Sequence, residues 1–382
     1  MNVPKLRFKE FTDEWIKIDL STCFEYFSTN SLSREQLSDH GIIKNIHYGD
    51  IHKKYGNVVD VENDVATYIK DTDQINKYEF CCENDIIFAD ASEDYDGIGK
   101  AIELINVNEK LVSGLHTIHA RDKKQFFSPL FKGYYFNTPI IHNQIRILAN
   151  GFKVFGISKD NINNLKVMLP SKQEQDKIAK LLSLLDKKIE LQTKKIEALK
   201  LFKLCILKHI FSSATVKIKL KDVSNIVKGK QINSEELSKS GSYYMLNGGT
   251  EPSGYLEKYN TLENTITISE GGNSCGYVKY NKCKFWCGGH CYSLENKLIN
   301  NHYLYQLLKF NEKKIMRLRI GSGLPNIQKK DLENFELFIH EKDNQYKIAN
   351  LLMKYDTKIE LEKNKLDKLA LLKTGLLQNM FI

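Results

Sequence analysis

The sequence predicts an α/β protein built from two similar domains and two long helices that pair with each other as a coiled coil. Three observations predict it: an ungapped internal repeat, a heptad spacing of apolar residues late in each copy, and short apolar alternations bounded by turn residues ahead of each helix. With 382 residues the chain is long enough for two domains that each bury a core.

The repeat carries most of the information. Ile157–Phe211 lies over Ile327–Phe381 at a constant offset of 170 residues, without a gap. Each copy opens on an alternation, Leu165, Val167, Leu169 and Phe335, Leu337, Ile339, which predicts an edge or half-buried strand. Pro170 marks the end of the first strand, because it restricts Leu169 and can precede a helix. His340 stands there in the second copy, so that boundary rests on periodicity.

From Leu182, steps of three and four select Leu185, Ile189, Gln192, Ile196, Leu199, Lys203, Ile206 and Ile210. From Leu352 the same steps select Tyr355, Ile359, Glu362, Leu366, Leu369, Lys373, Leu376 and Met380. This is a heptad seam broken by polar residues at equivalent places, Gln192 with Glu362 and Lys203 with Lys373. A lone helix of about 36 residues would be about 54 Å long and would leave its seam in water. Pairing within the chain removes that cost. The pair is antiparallel if the intervening domain turns back, and a parallel pair fits the spacing as well. Leu181, Leu184, Leu191 and Phe202, with Leu351, Leu361 and Leu371, widen the apolar surface beyond a two-helix seam. That width points to packing against globular domains or a partner subunit, although a long hairpin inside a monomer and a homodimer seam would use the same residues.

The repeat continues weakly into the segments ahead of the helices. Trp15–Leu20 matches Thr215–Leu220, Asn84–Asp90 matches Asn264–Glu270, and Ser113–His116 matches Cys287–His290. One scaffold with altered surfaces is therefore expected twice. Asp85–Ala89 and Thr265–Ile268 read as strands and Asn300–Phe310 as a helix, giving an α/β or α+β fold with no βαβ fingerprint. The boundaries that follow are 1–170 for the first domain, 171–211 for the first helix, 212–340 for the second domain and 341–382 for the second helix.

Lysine and arginine number 56 against 47 acidic residues, a formal charge of +9, which favours polyanionic partners and also suits a lysine-rich soluble protein. In the first domain, Ile42–Gly56 interleaves Lys44, His47, His52, Lys53 and Lys54 with Tyr48 and Tyr55. Lysines neutralise phosphates, and imidazoles and phenols hydrogen-bond or stack near bases. An exposed hairpin with two core-facing tyrosines reads equally well there. The second domain has glycine-rich stretches at Leu246–Tyr255 and Glu270–Val278, which allow close backbone approach to a ligand or simply make turns. Asn247, Thr250, Ser274 and Tyr277 are its candidate groove-facing residues. Arg317 and Arg319, ahead of a Gly-Ser-Gly turn, are candidates for phosphate or guanine, on one strand face if the segment is extended.

Catalytic signatures are sparse. The chain has no GxxxxGK[ST] phosphate loop and no Pro-Pro dipeptide, and the latter excludes the Asp/Asn-Pro-Pro-aromatic tetrapeptide of amino-group DNA methyltransferases. Cys275, Cys283, Cys287, His290 and Cys291 invite zinc, yet separated pairs of short knuckles are missing, and buried thiols with a structural or DNA-facing histidine explain them more simply. Asp90, Glu93, Asp94 and Asp96 form an acidic loop that could also hold Mg²⁺. Eight dilute, irregularly spaced cysteines predict reduced thiols. No run approaches the roughly 18 apolar residues of a membrane span, so a cytoplasmic protein is expected.

VPKLRFKEFTDEW at the start, VMLPSKQEQDKIAKLLSLLDKKI at Val167–Ile189 and QYKIANLLMKYDTKIE at Gln345–Glu360 resemble the specificity subunit of type I restriction-modification systems, over nearly the whole chain. The resemblance implies two target-recognition domains joined by two long helices forming an antiparallel coiled coil, each domain reading half of a bipartite duplex DNA site. It implies a non-catalytic subunit that docks two modification subunits and, in the full complex, two restriction subunits. Adenine N6 methylation with S-adenosylmethionine, and cleavage with ATP and Mg²⁺, would belong to those partners, with no cofactor in this chain. The alternative is a coiled-coil scaffold that binds nucleic acid without reading sequence. The pattern departs where Pro170 and Glu174 meet His340 and Asn344, which predicts unequal docking at the two helix starts.

Overall fold

The computed structural model describes residues 2–71, 78–296, 298–321, 323 and 325–382. It divides into two compact units, Met1–Gln192 with Lys365–Ile382, and Thr193–Asn364. Each unit therefore contains a globular part and a stretch of both long helices, Lys172–Ser212 and Lys342–Asn379.

In the first unit a five-stranded sheet runs in the order Phe24–Phe27, Thr117–Asp122, Ile86–Ala89, Ala101–Ile105, Val58–Asp60. Its pairings are antiparallel except the last. Strand Ile86–Ala89 is buried along its whole length, as its continuous apolar run requires. A smaller sheet runs Leu111–Ser113, Lys44–Ile46, Tyr68–Ile69, Leu37–Ser38. Ile16–Ile18 pairs antiparallel with Val167–Leu169, which delivers the chain to the first long helix.

The second unit keeps this plan. Its main sheet runs Ser224–Lys228, Cys291–Asn296, Thr265–Ser269, Val278–Asn281, and a small sheet runs Gly254–Leu256, Tyr243–Leu246, Trp286–Cys287. Val216–Lys219 pairs antiparallel with Glu336–Ile339 ahead of the second long helix. The strand and helix expectations at Asp85–Ala89, Thr265–Ile268 and Asn300–Phe310 are met, with Asn300 capping helix Asn301–Phe310 through the Tyr303 amide at 3.0 Å.

Helix pairing is antiparallel. In the second unit Lys195 Nζ lies 2.9 Å from Glu362 Oε1 and Lys203 Nζ 2.5 Å from Asp356 Oδ1, so numbers fall on one helix as they rise on the other. In the first unit Asp186 Oδ1 takes Lys373 Nζ at 2.5 Å. The polar breaks at Glu362, Lys203 and Lys373 are thus ion pairs rather than gaps. Leu182 is fully buried in a core with Met380 and Phe381, and Leu352 is fully buried in one with Leu207 and Phe211. Leu185, Ile196 and Ile359 are buried, Leu181, Ile189, Leu199, Leu366 and Leu369 half-buried, and Leu351 is 41% exposed.

The helix starts share one device and differ in another. Gln175 Nε2 donates to the Pro170 carbonyl at 3.1 Å, and Gln345 Nε2 donates to the His340 carbonyl at 2.8 Å. Glu174, however, is buried and bound twice by Arg7, at 2.8 and 2.7 Å, whereas Asn344 is exposed. The first start is clamped to the N-terminal segment by a buried ion pair that Asn344 has no charge to make. Among the described residues, no helix is long and apolar enough to cross a membrane.

Candidate nucleic-acid interface

In the first unit, buried strand Ile86–Ala89 ends at Asp90 and its antiparallel neighbour Thr117–Asp122 begins just after His116. The pairing brings these two together: the Asp90 amide donates to the His116 carbonyl at 3.1 Å, and His116 Nδ1 faces Asp90 Oδ1 at 3.2 Å. Burial pushes the Asp90 carboxyl up, against the pull of His116. His116 holds a left-handed backbone, φ 54°, uncommon for a residue with a Cβ. Asn150 and Gly156 close a hairpin with bonds of 3.0 and 2.8 Å, and the Ile157 amide ties it to the Asp90 carbonyl at 2.9 Å. Its turn needs Gly151, where φ is +135° and a Cβ would sit 2.0 Å from the Val154 carbonyl oxygen. The result is a cleft of about 560 Å³ lined by Asp90, His116, Asn150, Phe155 and Ser158. Helix Tyr48–Lys53 borders His116, with the Tyr48 ring 5.2 Å away, edge-on.

The second unit repeats the construction. Strand Thr265–Ser269 ends at Glu270, and Cys291–Asn296 follows His290. The Glu270 amide donates to the His290 carbonyl at 2.9 Å, and His290 Nδ1 lies 3.8 Å from Glu270 Oε2. Ile320 and Asn326 close a bridge with bonds of 2.8 and 3.0 Å, and the Ile327 amide reaches the Glu270 carbonyl at 2.8 Å. The cleft measures about 580 Å³ and includes Lys228, Asn247, Glu270, Ser274 and His290. Equivalence is fixed by backbone bonds, Gly114 amide to Ile46 carbonyl at 2.8 Å and Gly288 amide to Leu246 carbonyl at 2.7 Å. By that register Asn247 replaces His47 and Gly248 replaces Tyr48. A Cβ on Gly248, where φ is +84°, would meet the His290 Cβ at 3.1 Å, so no side chain stands where Tyr48 does in the other frame. Lys228 Nζ, 2.7 Å from Glu270, and the Tyr292 hydroxyl, 3.0 Å away, add groups next to the carboxylate.

The sequence candidates fall out unevenly. Ile42–Gly56 is a strand and a helix rather than an exposed hairpin. Lys44 is withdrawn as a phosphate contact: it is buried, and its Nζ is held by the Val61 carbonyl at 2.7 Å and Glu109 at 3.1 Å. His47 is also largely buried, with Nδ1 accepting the Gly49 amide at 3.1 Å, and burial then Arg34 push its pKa down. Lys53 is exposed, and Lys54 is exposed but paired with Asp50 at 3.0 Å. Asn247 and Ser274 line the second cleft, Asn247 holding the His290 amide at 3.0 Å. Thr250 is exposed outside that lining, and Tyr277 lies under Lys309 Nζ, 4.1 Å from its ring centroid. Arg317 and Arg319 are exposed, but Arg317 is a helix C-cap at φ −75°, so the shared strand face is corrected to a turn.

The cysteine set disperses as well. Cys283 is exposed, Cys275 donates to the Glu270 carbonyl at 3.0 Å in the second core, and Cys287 and Cys291 pack with Leu246 and Phe285. Among the described residues the one cluster with metal-ligand spacing is Cys81, Asp85 and His119. Its carboxylate is already bound by Arg121 at 2.8 and 2.9 Å and by His119 at 2.7 Å, an ion-pair network rather than a vacant ligand. Sequence reasoning took Asp90 into an acidic loop and His290 into a cysteine-rich set, as a structural or DNA-facing histidine before a zinc ligand, and paired neither with its strand neighbour, His116 or Glu270. The signal was present in two of the repeated blocks, Asn84–Asp90 with Asn264–Glu270 and Ser113–His116 with Cys287–His290, which end on a carboxylate and on a histidine.

A family model for the type I restriction modification DNA specificity domain matches this chain twice, over residues 12–201 and 213–371. A Mycoplasma genitalium protein assigned as a type I specificity subunit is 34% identical over 140 residues, 36% of this chain and 36% of the relative. One from Mycoplasma pneumoniae is 34% identical over 137 residues, 35% of this chain and again 36% of the relative. The matched stretch thus spans about a third of each of these relatives. The crystal structure of a type I restriction-modification S subunit from M. genitalium has the same fold, with TM-score 0.67 at 19% identity, covering 100% of this chain and 99% of that one. A family match across both halves of the chain, on a fold duplicated in the same way, makes this protein a member of the type I restriction-modification DNA specificity family.

Proposed function

We propose that this chain is the sequence-reading subunit of a type I restriction-modification complex. Its two domains, within 1–170 and 212–340, each read one half of a bipartite duplex target, and the helices within 171–211 and 341–382 dock the partners. The observation that carries this reading is one cleft built twice from the same backbone bonds and lined by different side chains, in a chain that the specificity family matches twice. Equal frames with unequal linings are what two unlike half-sites demand, since bases are discriminated by groups presented to their edges. Apolar side chains exposed along the helices, including Leu184 at 58%, Leu361 at 55% and Leu371 at 73%, offer a surface to two modification subunits. Methylation of adenine N6 with S-adenosylmethionine belongs to those subunits, and ATP- and Mg²⁺-dependent cleavage to two restriction subunits. The protein works in the cytoplasm, where the DNA is.

The test is co-purification with a type I modification subunit of the same organism, with stoichiometry measured, followed by selection of bound duplexes from a random library. Two fixed half-sites separated by an unspecified spacer, matched by methylation marks that vanish when the gene is deleted, support the reading. A flat selection with retained binding identifies a scaffold without sequence preference and overturns it.

A further inference from the structure

Resting on that DNA-reading function, we propose that His116 and His290 are specificity-determining residues. Each presents its outer ring nitrogen to one base edge of its own half-site while a carboxylate, Asp90 or Glu270, orients the ring.

Four observations converge on this pair. The two histidines occupy one position in two independently lined clefts, each one residue before the strand that pairs with the carboxylate-bearing strand. Both imidazoles turn Nδ1 toward a carboxylate, at 3.2 Å in the first cleft and 3.8 Å in the second. Both remain open to solvent, with side chains 50% and 64% exposed, and among the described residues neither ring has a second hydrogen-bond or ion-pair partner, the Tyr48 ring being an edge-on neighbour of His116 only. His116 additionally carries a left-handed backbone, a cost that its modest packing does not explain.

The chemistry follows from the ring. In the first cleft the hydrogen bond to Asp90 places the proton on Nδ1 and fixes the plane of the imidazole, and in the second the Glu270 carboxylate, 3.8 Å away, draws the same ring edge by charge without a hydrogen bond, so that Nε2 is the outward recognition atom in both. Neutral, Nε2 accepts a hydrogen bond from the amino group of adenine or cytosine; protonated, it donates to guanine N7 or O6. A lysine at this position would contact any phosphate regardless of sequence. The surroundings then set which base is read. Tyr48 packs edge-on against His116, 5.2 Å away, and narrows the approach. Beside His290 that space belongs to Gly248, and Lys228, Asn247 and Ser274 line the opening instead. The two histidines therefore read different bases from one frame.

The experiment uses the chain bound to its modification partner and a library of duplexes with randomised half-sites. Wild type, His116→Ala, His116→Gln and His290→Ala are compared position by position. His116→Ala is expected to lose discrimination on the order of tenfold at one base pair of one half-site, leaving the other half-site unchanged, and His290→Ala to do the reverse. His116→Gln, which keeps a donor and an acceptor, is expected to alter the preferred base at that same position. As a measurement independent of folding in the variants, diethylpyrocarbonate modification of His116 and His290 in the wild-type complex is followed by mass spectrometry. The selected duplex should protect both rings, and a scrambled duplex should not. Unchanged base preferences in partner-bound variants, uniform loss at every position, or equal modification with either duplex each overturn the assignment. A wild-type complex that selects no bipartite site instead defeats the proposed function itself, so the two failures are told apart.

Discussion

Asp186 and Lys373 form an ion pair of 2.5 Å in the first unit, and adding or subtracting the repeat offset turns it into the 2.5 Å pair of Asp356 with Lys203 in the second. Each carboxylate also takes a hydrogen bond from its own globular part, Tyr134 hydroxyl to Asp186 at 2.8 Å and Gln306 Nε2 to Asp356 at 2.5 Å. The polar breaks at Lys203 and Lys373 are thus three-way joints between two helices and a domain.

Removing one charge from such a joint strands the other. Asp186→Asn is expected to lower stability by about 1–2 kcal/mol, with a similar loss for Lys373→Met and less than the sum for the double variant. Urea unfolding of the four proteins measures the coupling; strictly additive losses would show that the pair contributes nothing of its own.

Acid sensitivity should centre on Asp85. Burial alone would raise its carboxyl, but hydrogen bonds from His119 and Arg121 outweigh burial and hold it below the usual range. A depressed folded value contributes stability that is present above the unfolded pKa of about 3.9 and is lost as pH falls through the folded one. Asp85→Asn should therefore cost about 3 kcal/mol at neutral pH and progressively less below about pH 4. Thermal melts from pH 7 to pH 2.5 check this, and a gap that stays constant with pH would contradict it.

Exposed cations should report on phosphate contact. Lys53→Ala is expected to weaken binding evenly across sequences and to reduce the salt slope by about one, and Arg319→Ala to do so for the other half-site. Lys44→Met should leave the slope unchanged, because its ammonium is held inside the fold at 2.7 Å from a backbone carbonyl. Binding isotherms across salt concentrations decide between them.

Helix length should be read out as DNA spacing. One heptad inserted after Gln192 and another after Asn364 lengthen each helix by about 10.5 Å and leave both Asp–Lys joints inside their own units. The preferred spacer should grow by about three base pairs with both half-site sequences unchanged, and methylation should fall more than binding because the half-sites also rotate about the duplex. A library with fixed half-sites and variable spacer measures it. An unchanged optimum in a folded, partner-bound variant would show that the helices do not set the distance.

Sequence by itself determined the repeat, the two long helices and the strands that lead into them, because heptad and alternating periodicities are local properties of the chain. It also located the polar breaks at Lys203 and Lys373, but not what fills them, since Asp356 and Asp186 lie far away in the chain. Only the tertiary structure decided the direction of helix pairing, and only it decided which cations are available. Lys44 and Lys53 look alike in sequence, yet one is held inside by Val61 and Glu109 while the other is exposed at the end of a short helix. The two clefts were likewise a matter of register. Asp90 meets His116, and Glu270 meets His290, because antiparallel pairing aligns Ala89 with Thr117 and Ser269 with Cys291, and that alignment places side by side residues that no local pattern connects.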